Sequence, residues 1–398
     1  MSTLVQPAYP YVTIAIDTSG LVPVAQRSPG VVAVVGNAVT GASAPAATPM
    51  EVTDHASVMN AFASGTTANP LTQSLDLVLA QDPRPSKIYG VRTGTDDDYA
   101  GALAGLDAAD DVTFICLAGE TTVGKATSGN TAATGLMALK EHVEQASAAG
   151  NKCIAVAMID PATARSPTYV GDVLAASGYG PLRSDDGRMV LVAARGATLD
   201  PTSTTATADA AAAVMGAAAG YPPGTSVVLK QVRGFTMPVT SQYIPAEITA
   251  LSGQGIIPLI DPALIPGSGL YLADGGVFSS DAARNYFDVV TLLDQMEFAL
   301  RAGLIGTVGD SRITKAGLTA VRVRIEGILG PFLASGVIDS FSVVIPLLAI
   351  LALPDSARDA ADTDRVVTAR QTRRVDVVIL VEIAATIHQL NVTLVPHF

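Results

Sequence analysis

The sequence predicts two fold classes in one chain, an α/β domain followed by an α+β domain. Between residues 31 and 235, fully apolar strands alternate with helical patterns, which is typical of βαβ units with a parallel sheet covered on both faces. After residue 236, two long amphipathic helices lead into a strand without regular alternation. We therefore predict an α/β domain at 21–235 inserted between a terminal arm at 1–20 and an α+β domain at 236–388. A second arm follows at 389–398.

The α/β domain is predicted to consist of alternating strands and helices. Apolar runs predict strands at residues 31–36, 112–117, 153–159 and 189–193, and further strands are predicted at 87–92 and 227–232. Capping residues and a period of 3.6 predict helices at residues 54–63, 72–80, 99–106, 131–149, 170–177 and 207–219. The last of these is rich in alanine, and such small side chains allow a helix to pack very closely on its neighbour.

The α+β domain is organised around residues 275–353. Ser279-Ser280-Asp281 is predicted to supply the N-cap and the acidic first turn of a helix whose apolar residues recur up to Leu300. A second helix is predicted at 314–332 and a strand at 337–345. Downstream, the sequence predicts a polar loop at 355–364, a strand at 375–381 and a short helical turn at 382–388.

Each terminal arm is predicted to hold one strand. A strand at a chain end, outside the domain patterns, must find its hydrogen-bond partners elsewhere. The residues of these two strands are Tyr11, Val12, Thr13, Ile14, Ala15 and Ile16, and Leu390, Asn391, Val392, Thr393, Leu394 and Val395.

Composition and charge exclude several classes of function. Charged residues make up 15% of the chain, below the roughly 25% of an average soluble domain, which suggests that much surface is covered by other subunits. The formal net charge is 24 − 36 = −12, without long basic runs, so we expect no nucleic-acid partner. The longest apolar run, 343–353, contains Pro346 and is too short to span a bilayer, so we expect no membrane insertion.

Cysteine content and the N-terminus indicate a cytoplasmic product. The two cysteines, Cys116 and Cys153, each lie in an apolar strand and are expected to act as small hydrophobic residues rather than as a disulfide framework. The first residues lack the basic and apolar regions of a signal peptide.

One segment matches a nucleotide-binding motif. Gly119 to Lys125 fits G-x-x-x-x-G-K after a predicted strand, and Asp160 ends a later apolar strand in the manner of a magnesium-positioning carboxylate. However, Ala126 replaces the hydroxyl residue that binds Mg²⁺, and Ser128 to Asn130 delay the helix. An ordinary connecting loop is the favoured interpretation, and a P-loop-like nucleotide-binding protein remains the alternative.

No other pattern indicates chemistry. Gly309-Asp310-Ser311 resembles the start of a nucleophile motif but has no associated histidine pattern. The four histidines are scattered without metal-ligand spacing. We therefore predict no catalytic residues, no metal and no cofactor.

Several segments, taken in order, resemble one family. Residues 31–38 hold an apolar strand ending in Val-Gly, residues 110–118 a strand beginning Asp-Asp-Val, and residues 139–161 a helix and strand ending in Asp-Pro. Residues 187–234 hold a strand and an Ala/Gly-rich helix, although the family's frequent Tyr-Tyr-Pro-Trp run is absent. The best match is 275–343, with its two helices and strand. Together these segments resemble the sheath proteins of contractile phage tails and related contractile injection systems.

The resemblance implies a structural subunit and not an enzyme. Sheath subunits form stacked hexameric rings around an inner tube, their arms add strands to sheets of neighbouring subunits, and contraction drives the tube through a target envelope. The implied partners are further copies of the chain, the inner tail tube protein, and baseplate and tail terminator proteins. The implied location is a virion tail or injection particle assembled in the host cytoplasm.

The resemblance also implies an orientation. The α/β domain would face outward, and the domain at 236–388 would be the inner sheath domain facing the tube. The positive side chains that are candidates for tube contacts are Arg322, Arg324, Arg370, Arg373 and Arg374.

Overall fold

The computed structural model describes residues 30–37, 41–65, 67–95, 97–109, 111–129, 131–199, 206–266 and 269–388. Both predicted arm strands, 11–16 and 390–395, lie outside the described residues. The described chain forms two compact units. The smaller unit comprises Ala299–Ile328 and Ile345–Asp376, and the larger unit comprises residues 30–298, Leu329–Val344 and 377–388.

The described residues form most of the predicted strands and helices, but the predicted strand at 227–232 is a strand only at Gln231–Val232. The strands are β1 (Val31–Gly36), β2 (Met50–Glu51), β3 (Lys87–Arg92), β4 (Phe114–Leu117), β5 (Ile154–Met158), β6 (Met189–Ala193), β7 (Gln231–Val232), β8 (Ile256–Ile260), β9 (Leu270–Leu272), β10 (Ile338–Val344) and β11 (Val378–Ile383). The helices are α1 (His55–Phe62), α2 (Pro70–Leu79), α3 (Tyr99–Gly105), α4 (Gly135–Ala149), α5 (Tyr169–Leu174), α6 (Ala210–Ala219), α7 (Pro245–Ser252), α8 (Phe287–Leu304), α9 (Lys315–Ala334), α10 (Pro346–Ala352) and α11 (Ala360–Thr372).

The larger unit is built on a nine-stranded sheet of order β2-β3-β1-β4-β5-β6-β8-β9-β7. The central strands from β3 to β8 run parallel, and β2, β9 and β7 are antiparallel additions at the two sides. All residues of β1, β4, β5 and β6 are buried, as expected for parallel strands covered on both faces. The predicted mixed α/β fold is confirmed, with a mixed rather than purely parallel sheet.

The sheet does not end at residue 235, the predicted end of the α/β domain. β8 pairs in parallel with β6, and β9 pairs with β8. Ile256, Leu259 and Leu272 are buried there, because these strands complete the apolar sheet. The pairing of β8 with β6 was not evident from the sequence, because α6 and α7 separate these two strands along the chain.

Local chemistry explains where the helices of the larger unit begin. Asp54 and Ser57 form a capping box at the start of α1, and Asn69 and Thr72 form one at the start of α2. All residues of α6 are buried, and this helix contacts α2 and the central strands. Its alanines permit that close approach, as the sequence predicted.

The predicted start of the first long helix within residues 279–281 is wrong. Asp281 instead caps a short 3₁₀ turn, Ala282–Arg284, with its carboxylate accepting a hydrogen bond from the N–H of Ala283 (2.9 Å). The chain then pairs with itself, because the N–H of Val277 donates to the carbonyl of Asn285 (2.8 Å). This local pairing uses backbone groups that a helix would need, and α8 begins only at Phe287.

Two predictions near the C-terminus are also wrong. The polar segment 355–364 is not a loop throughout, since α11 begins at Ala360 with Asp359 as its N-cap. Val366 is the one residue of α11 that is buried, so the helix has almost no apolar periodicity to detect. The predicted turn at 382–388 is not helical, because β11 continues to Ile383 and tertiary hydrogen bonds hold the residues that follow.

The two cysteines are free and buried, as predicted. Within the part of the chain that the structure describes, no helix combines the length and apolar character needed to cross a membrane.

Candidate assembly interface

β10 and β11 form a separate two-stranded antiparallel ribbon within the larger unit. Phe341 pairs with Val381, and Val344 pairs with Val378. Burial in β11 alternates strictly between half-buried and exposed residues, so one face of the ribbon packs on the unit and the other faces outward.

The outward face and edges of this ribbon are suited to further pairing. Val344, Val378 and Leu380 are 45%, 49% and 60% exposed, which is unusual for large apolar side chains in a strand. Among the described residues, each strand of the ribbon pairs only with the other, so each has one sheet edge without a partner strand. Two-stranded ribbons are marginally stable alone, and open edges readily accept additional strands.

The five arginines predicted as tube-facing occupy different environments. Arg322 forms an exposed i,i+4 pair with Glu326 (Nε–Oε1 2.8 Å) on α9. The Nε of Arg324 donates to the carbonyl of Gly303 at the end of α8 (2.6 Å), so this side chain ties two helices of the smaller unit together.

The remaining three arginines lie at the C-terminal end of α11. Arg374 pairs with Asp376 (Nε–Oδ1 3.0 Å). Arg370 and Arg373 are exposed and have no ion-pair or hydrogen-bond partner for their side chains among the described residues. Arg373 ends the helix in the left-handed region (φ 55°). Positive side chains are favourable near a helix C-terminus, and Arg370 and Arg373 remain available to a partner.

The segment from Gly119 to Lys125 connects β4 to α4 but lacks the geometry of a phosphate-binding loop. α4 begins only at Gly135, so no helix N-terminus follows Lys125 directly. The N–H of Lys125 donates to the hydroxyl of Thr134 (3.1 Å), and the N–H of Gly119 donates to the carboxylate of Asp209 (2.9 Å). These amides are therefore already engaged within the protein.

A crevice of about 680 Å³ lies at the carboxyl ends of β1, β4 and β5, where α/β sheets commonly bind ligands. The carboxyl groups of Glu120, Asp160 and Asp209 line it, and its described lining contains no lysine or arginine. Asp209 also accepts hydrogen bonds from the Ser74 hydroxyl (2.6 Å) and from the N–H of Ala212 (3.0 Å) at the start of α6.

Asp209 therefore occupies the position at which a phosphate would meet the α6 N-terminus. Burial raises the pKa of its carboxyl group, whereas the hydrogen bonds from Ser74, Ala212 and Gly119 act in the opposite direction. Within the described lining of the crevice, a phosphate placed beside this group would meet further acidic side chains and no lysine or arginine. The geometry gives no support to the nucleotide-binding alternative.

The other chemical motifs are not assembled into a site. No group of three or more histidine, cysteine, aspartate or glutamate side chains suited to a metal ion occurs among the described residues. Gly309, Asp310 and Ser311 lie in the connection between α8 and α9, and all three are exposed. His55 is paired with Asp76 (Nδ1–Oδ1 2.9 Å) at the surface.

Sequence reasoning missed part of the ribbon. The strand was predicted at 375–381, whereas β11 spans Val378–Ile383, so Glu382 and Ile383 were placed in a turn instead. The alternation of β11 is masked in the sequence because nearly all its residues are apolar. Glu382 is the one charged residue of β11, and it accepts a hydrogen bond from the hydroxyl of Ser340 across the ribbon (3.0 Å).

The fold is that of contractile sheath proteins. The sheath complex of an extracellular contractile injection system, PVC, in the contracted state matches with a TM-score of 0.68 at 13% identity, over 98% of this chain and 98% of that chain. The helical sheath of the anti-feeding prophage in the contracted state matches with a TM-score of 0.61 at 14% identity, over 98% and 99% of the two chains.

A bacterial structure and two sequence comparisons complete these findings. The sheath tail protein of Desulfitobacterium hafniense matches with a TM-score of 0.56 at 12% identity, over 85% of this chain and 93% of that chain. No protein-family model matches the chain, and no curated protein matches it in sequence. The likeness therefore lies in the fold, at sequence identities too low for residue-by-residue comparison.

Proposed function

We propose that this chain is the structural subunit of a contractile tail sheath. It assembles as stacked hexameric rings around an inner tube and contracts to drive that tube through a target envelope. The observation that carries this proposal is the likeness to contracted sheath subunits along 98% of the chain. Other copies, the tube protein, and baseplate and terminator proteins are the proposed partners, in a virion tail or injection particle assembled in the host cytoplasm.

The ribbon provides the proposed point of linkage between subunits. It has two open edges among the described residues, and the sequence predicts two arm strands. β11 has 6 residues, the same length as the predicted strands at 11–16 and 390–395, which gives a good match for backbone pairing. Arms from neighbouring subunits add to the ribbon by β-augmentation and cover its exposed apolar side chains.

We further propose that the α/β region, whose sheet includes β8 and β9, faces outward and that the rest of residues 236–388 faces the tube. The large apolar sheet keeps its shape while subunits change their positions, because a closely packed core deforms little. Contraction then needs no nucleotide, since the extended lattice is metastable and the contracted lattice makes better contacts.

Negative-stain electron microscopy of the purified chain tests this function. We expect long tubular particles, formed by the chain alone or together with its tube protein. A chain that remains monomeric under both conditions contradicts the proposal.

Arg370 and Arg373 are both candidates for a tube contact, because their positive charges are exposed without a partner among the described residues. Arg370 is the better position for a substitution, because Arg373 ends α11 in the left-handed region (φ 55°). We expect Arg370→Glu to reduce assembly around the tube by about tenfold, the equivalent of about 1.4 kcal/mol, as like-charge contacts replace attractive ones. Co-sedimentation with the tube protein measures this effect. Lys125→Glu makes the same charge change in the β4–α4 connection and is expected to assemble normally. Equal assembly of the two variants would remove Arg370 from the interface.

A further inference from the structure

A connected set of polar side chains fixes the segment that leads into the C-terminal arm. The hydroxyl of Thr386 donates to the carboxylate of Asp288 on α8 (Oγ1–Oδ2 2.8 Å). The same Thr386 oxygen lies 2.9 Å from Nε2 of His388, and this Nε2 lies 3.0 Å from the hydroxyl oxygen of Ser226. Residues 30–298 and 377–388 belong to one compact unit, so all four side chains are held on one body.

The hydrogen bonds define which atom of His388 carries the proton. Because Thr386 uses its hydroxyl hydrogen on Asp288, its oxygen must accept from the N–H at Nε2 of His388. With Nε2 protonated, the Ser226 hydroxyl oxygen can only accept from it, as it also accepts from the N–H of Val228 (3.3 Å). A protonated Nε2 cannot act as a base toward Ser226, so this group is a structural bridge and not a nucleophile–base pair.

The ring of His388 is held by a further contact. Tyr286 meets its imidazole edge-on, with the ring centroids 4.9 Å apart. The preceding backbone is anchored as well, because the N–H of Ala384 donates to the carbonyl of Val337 (3.2 Å). Residues 384–388 contain no helix or strand, so these contacts take the place of secondary structure.

We propose that Ser226, Asp288, Thr386 and His388 form an arm latch that fixes the point at which the C-terminal arm leaves the subunit. The predicted arm begins at residue 389, directly after His388. This inference rests on the proposed sheath function. A tethered segment pairs efficiently only when the geometry of its tether matches the distance to its partner, because that geometry sets its effective concentration there. The arm latch thus positions the arm for pairing with a neighbouring ribbon.

A spin label at residue 387 tests the latch itself. Ile387 is 81% exposed, and the native cysteines are both buried, so a nitroxide attaches selectively to Ile387→Cys. In this background, electron paramagnetic resonance is expected to show a restrained label. Thr386→Val keeps the side-chain shape but removes both hydrogen bonds, and we expect the restrained spectral component to be lost.

Thr249→Val is the matched control. Among the described residues, its hydroxyl hydrogen-bonds only to the carbonyl of Pro245 within its own helix (3.0 Å), and the residue is exposed. We expect the control to keep both the restrained label and the tubes seen by negative-stain microscopy. Thr386→Val is expected to remain folded by circular dichroism and to lose most of its tubes.

The outcomes separate the latch from the sheath function. A label that stays restrained in Thr386→Val overturns the latch, whether or not tubes form. If the label is released in Thr386→Val and tubes still form normally, the proposed role of the arm latch in positioning the arm is overturned. A wild-type chain without tubes contradicts the sheath function, and the label spectra still decide whether Thr386 restrains this segment.

Discussion

A chain lacking residues 1–18 is expected to remain folded and to form no tubes. Deletion removes the predicted strand at 11–16, whereas the buried sheet begins at Val31 and is left intact. Without that strand, one edge of each ribbon has no partner, and the links between subunits are lost. Negative-stain microscopy measures assembly, and thermal unfolding followed by circular dichroism measures the integrity of the subunit.

A shorter deletion provides the control for this experiment. A chain lacking residues 1–7 keeps the predicted strand and is expected to assemble like the full chain. Tubes of normal length from the chain lacking residues 1–18 would show that the N-terminal arm does not link subunits. Loss of folding in that chain would instead assign the arm to the stability of the subunit.

Asp294→Ala is expected to lower the free energy of unfolding by about 3 kcal/mol, the largest effect we expect from a single substitution. Asp294 on α8 makes a bidentate ion pair with Arg188, which precedes β6 (2.6 and 2.9 Å). The Arg188 side chain is only 3% exposed. Although burial lowers the pKa of its guanidinium group, the hydrogen bonds and charge of Asp294 raise it overall. Removing the carboxylate leaves a buried charge without its partner.

Urea denaturation followed by circular dichroism measures this change. Asp376→Ala removes the partner of Arg374 at a similar distance (3.0 Å), but both side chains of that pair are more than 70% exposed. We expect the control to change the free energy of unfolding by about 0.5 kcal/mol or less. The double variant Arg188→Met/Asp294→Leu replaces the pair by apolar side chains and should recover most of the lost stability. An Asp294→Ala variant as stable as the control would show that the pair is not effectively buried.

The central sheet was predictable because most of its strands are apolar throughout and are bounded by turns, and β3 has apolar residues between Lys87 and Arg92. The ends of β1, β3 and β6 agree with the predicted residues. β8 and β9 could not be assigned to this sheet from sequence, because pairing between distant strands leaves no local periodicity. α11 was missed for the opposite reason, since it is polar on nearly all sides and only its cap at Asp359 marks its start.

The interface was partly predictable. The sequence indicated the arm strands by their position outside the domain patterns, and these remain predictions. The sequence predicted five arginines as candidates for tube contacts but gave no basis for ranking them. The structure distinguishes Arg324, which bonds to Gly303 within the smaller unit, from Arg370, whose charge is available. This distinction depends on contacts between different helices. The spacing of residues along one helix does not reveal such contacts.

The long segment after residue 275 shows the division between sequence and tertiary structure most clearly. Its amphipathic periodicity determined that helices and a strand would form, because local patterns of apolar residues select the secondary structure that can bury them. The tertiary structure alone decided that α8 begins at Phe287 and that residues 384–388 bond to Asp288 and Ser226. Those features depend on hydrogen bonds between residues far apart in the chain, whose partners are brought together only by folding.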